Sequence, residues 1–284
     1  MAELGDKHVV GLIGAGIGAS LSPQLHEREA DRLGLRYIYQ LIDISGLGIR
    51  ASEVATLVGD ARRMGFRGLN VTHPCKQTIV SQLDELSQEA AFLGAVNTVV
   101  FEGGLAIGYN TDWFGFAQGF VRGLPDAALG DVVLLGAGGA GAAVAHAVLS
   151  LGARRLTIVD IQSDRAARLA AQFAGHYSGA TVVAGTPQNV AIADGLINAT
   201  PIGMAAHPGM PIAPNLLRPG MWVADIVYVP LETELLRLAR ERGCRTLNGG
   251  GMVVFQAAEA FRLFTGRVPD PDRMWRHFEE LTKS

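Results

Sequence analysis

Cysteine is scarce in this sequence. Cys75 and Cys244 are the only two among 284 residues, and they lie far apart with no C-x-x-C arrangement. This argues against a disulfide framework and against a cysteine-ligated zinc site. Metal-ligand spacing is also missing among the 7 histidines and the 27 acidic residues. We therefore expect a cytoplasmic protein that holds no metal ion.

Blocks of like charge and long apolar runs are missing as well. The 24 basic and 27 acidic residues give a net charge of -3 without any basic block, which argues against a nucleic-acid partner. No apolar run is long enough to span a bilayer, so the sequence predicts no membrane contact. Apolar residues are abundant, at 49% of the chain, as is typical of proteins with sizeable buried cores.

The length of the chain predicts two domains. Ser22 is expected to cap the first helix, which would begin at Pro23. Apolar periodicity and turn residues define the other elements of this first part. They are strands 9–13, 37–42 and 66–71, helices 23–33, 53–64 and 77–93, and a hairpin of strands 96–101 and 105–108.

Beyond residue 112, strands and helices alternate regularly. Such alternation is typical of a parallel sheet wound on both faces by helices. The predicted strands are 132–135, 156–160, 181–184, 195–199, 222–227 and 246–247, and the predicted helices are 113–123, 140–151, 165–173, 231–242 and 252–263.

A glycine-rich motif, G-A-G-G-A-G, lies between the strand at 132–135 and the helix at 140–151 and matches G-x-G-x-x-G. Its glycines allow a tight turn, close approach of a pyrophosphate and close packing of the helix. The N-terminus of the helix offers N–H groups to the phosphates. The motif therefore predicts dinucleotide binding. The residues expected to contact the dinucleotide here are Gly136, Ala137, Gly138, Gly139, Ala140 and Gly141.

An acidic residue, Asp160, ends the next predicted strand, about 20 residues beyond the motif, where a carboxylate can accept hydrogen bonds from the ribose hydroxyls of NAD. Its charge would repel the 2′-phosphate of NADP by on the order of a few kcal/mol at contact distance. Ile161 and Gln162 follow it, where NADP sites usually have an arginine. NAD is therefore the predicted cofactor and NADP the alternative. Arg165 either flanks the adenine or is an ordinary residue of the first helical turn.

A second glycine-rich stretch, G-A-G-I-G-A at 14–19, also follows a predicted strand. The residues S-L-S-P come directly after it and delay the helix beyond the position that a pyrophosphate needs. No strand-ending acid is expected at the right distance, since Asp31 falls inside a predicted helix. We interpret this stretch as a polar loop.

Polar clusters accompany the strand ends of the first 112 residues. S-L-S-P at 20–23 places two hydroxyls at a loop-to-helix junction, and N-V-T-H-P-C-K at 70–76 follows an apolar strand. G-A-V-N-T at 94–98 and G-Y-N-T-D at 108–112 bracket the predicted hairpin. Because the carboxyl ends of strands are where open α/β sheets bind ligands, these clusters predict a ligand site.

Taken in order, these motifs resemble the shikimate dehydrogenase family. The series continues with the glycine turn, N-A-T-P-I-G at 198–203 and G-M-V-V-F-Q-A-A at 251–258. The resemblance implies an α/β fold of two domains, an α/β substrate domain and a doubly wound Rossmann-type NAD(P)-binding domain, with a cleft between them. The first would comprise residues 1–112 plus 253–284 and the second residues 113–252. The implied activity is hydride transfer at C3 of shikimate or quinate.

The resemblance also implies roles for individual residues. Tyr228 either reaches the nicotinamide or is an ordinary core tyrosine. The substrate's hydroxyls and carboxylate would be held by Ser20, Ser22, Thr72, Asn97 and Gln256. The cofactor would be lined by Asn198, Ala199, Thr200 and Pro201, with Gly251 and Met252 near the nicotinamide.

Lys76 and Asp112 are the implied catalytic pair. Hydride transfer leaves or consumes a proton on the substrate hydroxyl, so a proton-handling group must lie within hydrogen-bond reach. A lysine can exchange that proton, and a neighbouring carboxylate can orient it. The alternative is a structural ion pair across the hairpin.

The run V-D-I-Q at 159–162 differs from the Asn-Arg-Ser/Thr run of the NADP-dependent biosynthetic members. It resembles the NAD-using quinate/shikimate branch, which serves catabolism. Two alternatives stay open: a biosynthetic shikimate dehydrogenase, and a catalytically silent sensor of NAD or shikimate. A monomer and a homodimer are both compatible with the sequence.

Overall fold

The structure, a computed structural model, describes residues 7–283. The chain divides into two compact units. The first is formed by the chain up to Thr111 together with the segment from Val254 onward, and the second by Asp112–Val253. Each unit contains one sheet of 6 strands.

The sheet of the first unit is mixed, with the strand order β2-β1-β3-β5-β6-β4. Strands β1, β2 and β3 run parallel, whereas β5 is antiparallel to both of its neighbours. The strands are β1 (Lys7–Gly14), β2 (Arg36–Asp43), β3 (Gly68–Val71), β4 (Glu85–Leu86), β5 (Thr98–Glu102) and β6 (Leu105–Tyr109). The helices of this segment are α1 (Ser22–Arg32), α2 (Val54–Arg63) and α3 (Gln88–Leu93).

The register of these strands brings the polar clusters to one edge of the sheet. Asn70 in β3 lies opposite Thr98 in β5, and Thr98 lies opposite Tyr109 in β6. The carboxyl end of β3, the amino end of β5 and the carboxyl end of β6 therefore coincide. β1, parallel to β3, ends at the same edge, where Ile13 lies opposite Val71.

The helix predicted over 77–93 is wrong. The segment forms a 3-10 turn at Val80–Gln82, the short strand β4 and the helix α3. The backbone N–H of Asp84 donates to Ala106 O at 3.0 Å, and the Asp84 carboxylate accepts from Ala106 N at 2.7 Å. These bonds hold the segment against β6, so that it does not continue as a helix. The helix α3 starts afresh because the Ser87 hydroxyl caps it, accepting from Ala90 N at 3.1 Å.

The predicted cap of α1 is also wrong. Ser22 is the first residue of the helix, Leu21 occupies the cap position, and no side chain caps this end. The Ser20 hydroxyl accepts the N–H of Ser22 at 3.3 Å. The two serines are thus linked to each other at the start of the helix.

The sheet of the second unit is entirely parallel, with the strand order β12-β11-β10-β7-β8-β9. This is the 3-2-1-4-5-6 order of a Rossmann fold, which confirms the predicted doubly wound class. The strands are β7 (Asp131–Leu135), β8 (Arg155–Val159), β9 (Thr181–Ala184), β10 (Gly195–Asn198), β11 (Trp222–Asp225) and β12 (Arg245–Leu247). The helices are α4 (Asp112–Gly123), α5 (Gly139–Ser150), α6 (Ser163–His176) and α7 (Glu234–Glu241).

Two further helices complete the chain, α8 (Gly250–Thr265) and α9 (Pro271–Lys283). The sequence interpretation missed α9. It begins at a proline, and the Asp270 carboxylate accepts the N–H groups of Asp272 and Arg273, each at 3.0 Å. Arg273 also pairs with the fully buried carboxylate of Glu29 in α1, at 2.6 Å. This ion pair holds α9 against α1.

Each unit has its own apolar core. In the first unit, Ile13, Leu69 and Val99 belong to one cluster, and Val10 and Phe264 to another. In the second unit, the core cluster includes the strand residues Val133, Leu196 and Val223. Within residues 7–283, no helix has both the length and the apolar character needed to cross a membrane. The same part of the chain has no group of three or more His, Cys, Asp or Glu side chains that could hold a metal ion.

Candidate active site

Backbone hydrogen bonds draw the polar loops of the first unit together. The loop after β1 contacts the loop after β3, since Ala15 N donates to His73 O at 3.0 Å. The loop after β3 in turn contacts the segment before β5, since Val96 N donates to Lys76 O at 2.8 Å. The motifs at 70–76 and 94–98, and the loop that leads to S-L-S-P, therefore share one edge of the sheet.

Asn97 is the centre of a buried hydrogen-bond network at this edge. Its Oδ1 accepts from Thr111 N at 2.7 Å and from Thr98 Oγ1 at 3.0 Å. Its Nδ2 donates to Thr111 Oγ1 at 2.9 Å, and that hydroxyl lies 3.5 Å from Gln256 Oε1. The network therefore links two of the predicted substrate residues, Asn97 and Gln256.

The other residues predicted for the substrate occupy the same loops. Ser20, Ser22 and Thr72 are all half-buried, as is Lys76. Asp112, by contrast, is buried and is the first residue of α4, in the second unit. The pairing of Lys76 with Asp112 stays a prediction.

A strand-ending acid does follow the stretch at 14–19, although it lies farther along the chain than Asp160 does from its glycine motif. Asp43 ends β2, and its carboxylate accepts from Gly16 N at 3.0 Å and from Ile17 N at 3.1 Å. These hydrogen bonds, led by that of Gly16, lower the pKa of Asp43. The carboxylate fixes the loop that leads to Ser20 and Ser22, in agreement with the interpretation of this stretch as a polar loop.

The glycine motif of the second unit forms a tight turn between β7 and α5. Gly136 has φ +98, and a Cβ at this position would lie 2.8 Å from Ala199 O. A Cβ at Gly141 would lie 2.0 Å from Gly136 O. Gly138 and Gly139, in contrast, face open space, with no atom within 4 Å of a Cβ built on either. The turn therefore has two tightly packed glycines and two that leave room for a ligand at the start of α5.

Asp160 follows β8 directly and contacts the glycine turn. Its Oδ2 accepts from Ala137 N at 2.8 Å, and its Oδ1 accepts from Gln162 N at 2.8 Å. Each carboxylate oxygen can accept more than one hydrogen bond, so both retain capacity for a ribose hydroxyl. Ile161 is fully exposed beside it, and Arg165 is exposed in the first turn of α6.

Asn198 ends β10 and shapes the loop at 198–203. Its Oδ1 accepts from Thr200 Oγ1 at 2.7 Å, and its Nδ2 donates to Ile202 O at 2.9 Å and to Asp225 Oδ1 at 2.9 Å. Asp225 also accepts from Thr233 Oγ1 at 2.8 Å. Burial raises the pKa of Asp225 to about 6, although its hydrogen bonds oppose the shift. The Asn198 amide is thus engaged with the protein itself, next to Ala199, Thr200 and the exposed Pro201.

The remaining predicted cofactor residues lie on neighbouring segments of the second unit. Tyr228 is 39% exposed, and its contact with the nicotinamide stays a prediction. Gly251 lies in the first turn of α8, and a Cβ at this position would be 3.1 Å from the Cα of Gly119 in α4. Close packing of two helices therefore explains why residue 251 is a glycine. Met252 follows it and is half-buried.

Several residues of these networks were missed. Asp43 and Asp225 both end strands, a signal that the sequence does contain. Thr98 and Thr111 lie within the recognised motifs, but their polar side chains resembled ordinary loop residues. Tyr39, whose hydroxyl donates to Asn70 Oδ1 at 2.7 Å, gives no signal at all, since an aromatic residue in mid-strand is typical of any sheet.

Comparisons with known proteins identify relatives over nearly the whole chain. Residues 12–99 match the family described as the shikimate dehydrogenase substrate binding domain, and residues 249–277 match the shikimate 5'-dehydrogenase C-terminal domain. The chain is 60% identical to a shikimate dehydrogenase (NADP(+)) of Streptomyces avermitilis, over 97% of this chain and 96% of that protein.

Two of the similar proteins come from Corynebacterium glutamicum. The chain is 44% identical to a quinate/shikimate dehydrogenase (NAD(+)) of that organism, over 98% of this chain and 100% of the relative. A solved structure of quinate dehydrogenase from the same species, in complex with NAD, superposes with a TM-score of 0.91 at 45% identity. That match covers 97% of this chain and 99% of the other.

Proposed function

Because this chain belongs to the shikimate dehydrogenase family, we propose that it oxidises shikimate, quinate or both at the C3 hydroxyl, reversibly and with NAD as the cofactor. The first unit would bind the substrate and the second the dinucleotide. The observation that carries the choice of NAD is the Asp160 carboxylate at the end of β8, in hydrogen-bond contact with the glycine turn.

The residues of the second unit fit a dinucleotide. Gly138 and Gly139 leave open space at the start of α5, where the free N–H groups and the helix dipole favour a pyrophosphate. The exposed Ile161 offers an apolar surface beside Asp160, suited to an adenine ring. When bound, the nicotinamide supplies the acceptor for the hydride.

The residues of the first unit perform the proton transfer and hold the substrate. Lys76 accepts the proton of the C3 hydroxyl during oxidation and returns it during reduction. Asn97 and Gln256, fixed by Thr111, hold hydroxyls of the substrate. Positioned acid–base groups of this kind contribute about 10²–10⁴ in rate.

Asp160 favours NAD for an electrostatic reason. A carboxylate that accepts two backbone N–H groups at 2.8 Å is held in one place and cannot swing away from a 2′-phosphate. Repulsion at contact distance amounts to on the order of a few kcal/mol. The two residues that follow Asp160 in the sequence, Ile161 and Gln162, carry no positive charge.

The test is the ratio of kcat/KM for NAD to kcat/KM for NADP in the Asp160→Asn variant. Asparagine keeps one acceptor oxygen for the glycine turn and removes the charge, and damage common to both cofactors cancels in the ratio. We expect the ratio to fall at least about tenfold, which corresponds to about 1.4 kcal/mol. Asp164→Asn, which removes an acid from the first turn of α6, is the matched control and should leave the ratio unchanged. Equal ratios in the two variants would contradict the role of Asp160.

A second candidate is a shikimate dehydrogenase that uses NADP in biosynthesis. The relative from Streptomyces avermitilis, 60% identical, carries that name. Under this alternative the exposed Arg165 would contact the 2′-phosphate, and Asp160→Asn would change activity with NADP little.

A further inference from the structure

A buried carboxylate, that of Asp225, connects two loops of the second unit. It ends β11, is 1% exposed and lies opposite Asn198, the last residue of β10. Its Oδ1 accepts from Asn198 Nδ2 at 2.9 Å and from Val227 N at 3.0 Å. Its Oδ2 accepts from Thr233 Oγ1 at 2.8 Å. One side chain therefore joins the loop after β10 to the loop after β11.

The loop after β10 comes back to this carboxylate at its far end. Gly203 has φ +106, and a Cβ built on it would lie 3.7 Å from Asp225 Oδ2 and 3.3 Å from Thr233 Cγ2. At the near end, the Asn198 amide donates to the same carboxylate. Asp225 therefore contacts both ends of the segment 198–203, which contains the residues predicted to line the cofactor in this loop.

The strand order indicates which half of a dinucleotide these loops serve. In a Rossmann sheet the dinucleotide lies across the carboxyl ends of the strands, with one mononucleotide on each side of the point where the strand order reverses. Asp160 follows β8, on one side of β7, where the adenosine ribose is expected. β10 and β11 lie on the other side of β7. The loops that Asp225 joins therefore belong to the nicotinamide half.

We propose that Asp225 is a positioning residue for the nicotinamide half of the cofactor, which holds the loops after β10 and β11 in the arrangement that binds it. This inference rests on the proposed function, because it takes these loops as part of the cofactor site. Without the carboxylate, the Asn198 amide and the Val227 N–H each lose a buried acceptor. The adenosine half, at the glycine turn and Asp160, keeps its contacts.

Asp194 provides a matched control at the other end of the same sheet. It directly precedes β10 and therefore lies at the amino end of the parallel strands. Its Oδ2 accepts from the N–H of Asp131, the first residue of β7, at 2.8 Å. Asp194→Ala therefore removes a carboxylate that joins neighbouring strands without touching the loops after β10 and β11.

The experiment compares the Kd of NAD with the Kd of ADP-ribose, which lacks the nicotinamide, by titration calorimetry in the wild type and both alanine variants. In Asp225→Ala we expect the Kd of NAD to rise about tenfold (about 1.4 kcal/mol) and that of ADP-ribose to change less than about twofold. In Asp194→Ala the ratio of the two Kd values should stay that of the wild type. General damage to the unit weakens both ligands and cancels in this ratio.

Conservative variants separate the hydrogen bonds from the fold. Asp225→Asn keeps one oxygen for Asn198 and Val227, so it should restore most of the affinity for NAD. Thr233→Val removes the hydroxyl that donates to Asp225, whereas Thr233→Ser keeps it. Only the valine variant should therefore raise the Kd of NAD relative to that of ADP-ribose, and this pair serves if Asp225→Ala does not fold.

Two results would overturn the inference, and they differ in what they leave standing. A wild-type ratio of the two Kd values in Asp225→Ala, or in Thr233→Val where the alanine variant does not fold, overturns the role of Asp225 while the proposed function stands. A wild type that binds no nicotinamide dinucleotide overturns the proposed function and this inference with it.

Discussion

Lys76 is the residue on which the proposed chemistry depends. Its backbone carbonyl is fixed by Val96 N at 2.8 Å, which holds the lysine close to Asn97. In Lys76→Ala we expect kcat to fall by about 10²–10⁴, with a much smaller change in KM, because the lost group acts on the proton. Lys7, exposed at the start of β1 and thus at the opposite end of that strand, provides the control Lys7→Ala. Near-native turnover in Lys76→Ala would remove the lysine from the mechanism.

Asp225 has a pH-dependent effect on stability. Its pKa is raised from 3.8 to about 6 in the folded protein, so the native state binds this proton more tightly than the unfolded chain does. The free energy of unfolding therefore falls as the pH rises from about 4 to about 7, by on the order of 3 kcal/mol from this group. Asp225→Asn lacks this titration. Denaturation curves over that range should show the variant gaining stability relative to the wild type as the pH rises, and parallel curves would contradict the assignment.

At the scale of elements, two glycines at the start of α5 have different expected roles, one in packing and one in ligand binding. Gly141→Ala places a methyl 2.0 Å from Gly136 O, so the turn must shift, and we expect both a lower melting temperature and weaker cofactor binding. Gly139→Ala meets no atom within 4 Å and should keep the melting temperature, while its methyl obstructs the pyrophosphate. Calorimetry with NAD and thermal melts of both variants test this. A native melting temperature in Gly141→Ala would show that the close contact is absent.

The elements also show what could be predicted from the sequence. The alternation beyond residue 112 predicted the parallel sheet correctly, because strands and helices of that length pack in few ways. The prediction of a helix over 77–93 was wrong because Asp84 forms hydrogen bonds with β6. These contacts with a strand farther along the chain override the local apolar periodicity. The start of α7 was also misplaced: it begins at Glu234, where the Thr233 hydroxyl caps it by accepting from Leu236 N at 3.3 Å.

The candidate site, like the fold, could be predicted from the sequence only in part. Motifs at strand ends could be found because polar residues after buried strands stand out. The buried partners of these motifs could not be found, because Tyr39 and Thr98 become hydrogen-bond partners of Asn70 only through the register of β2, β1, β3 and β5. Sequence spacing contains no information on such a contact across four strands.

At the scale of the whole molecule, the proposed function assigns a separate part of the chemistry to each unit. The first unit gathers hydroxyls, amides and Lys76 at one sheet edge, and the second combines a Rossmann sheet with Asp160 beside its glycine turn. A catalytically silent sensor would need the dinucleotide and substrate sites but not Lys76 as a proton carrier. Turnover therefore distinguishes the enzyme from the sensor.

The most direct test is the appearance of reduced nicotinamide when the purified protein meets shikimate or quinate, each with NAD or with NADP. We expect turnover with NAD on one or both substrates and far less with NADP, as the Asp160 carboxylate requires. Turnover of shikimate with NADP alone would keep the mechanism but contradict the choice of cofactor. Silence in all four mixtures would contradict the assignment of this chain as a quinate/shikimate dehydrogenase.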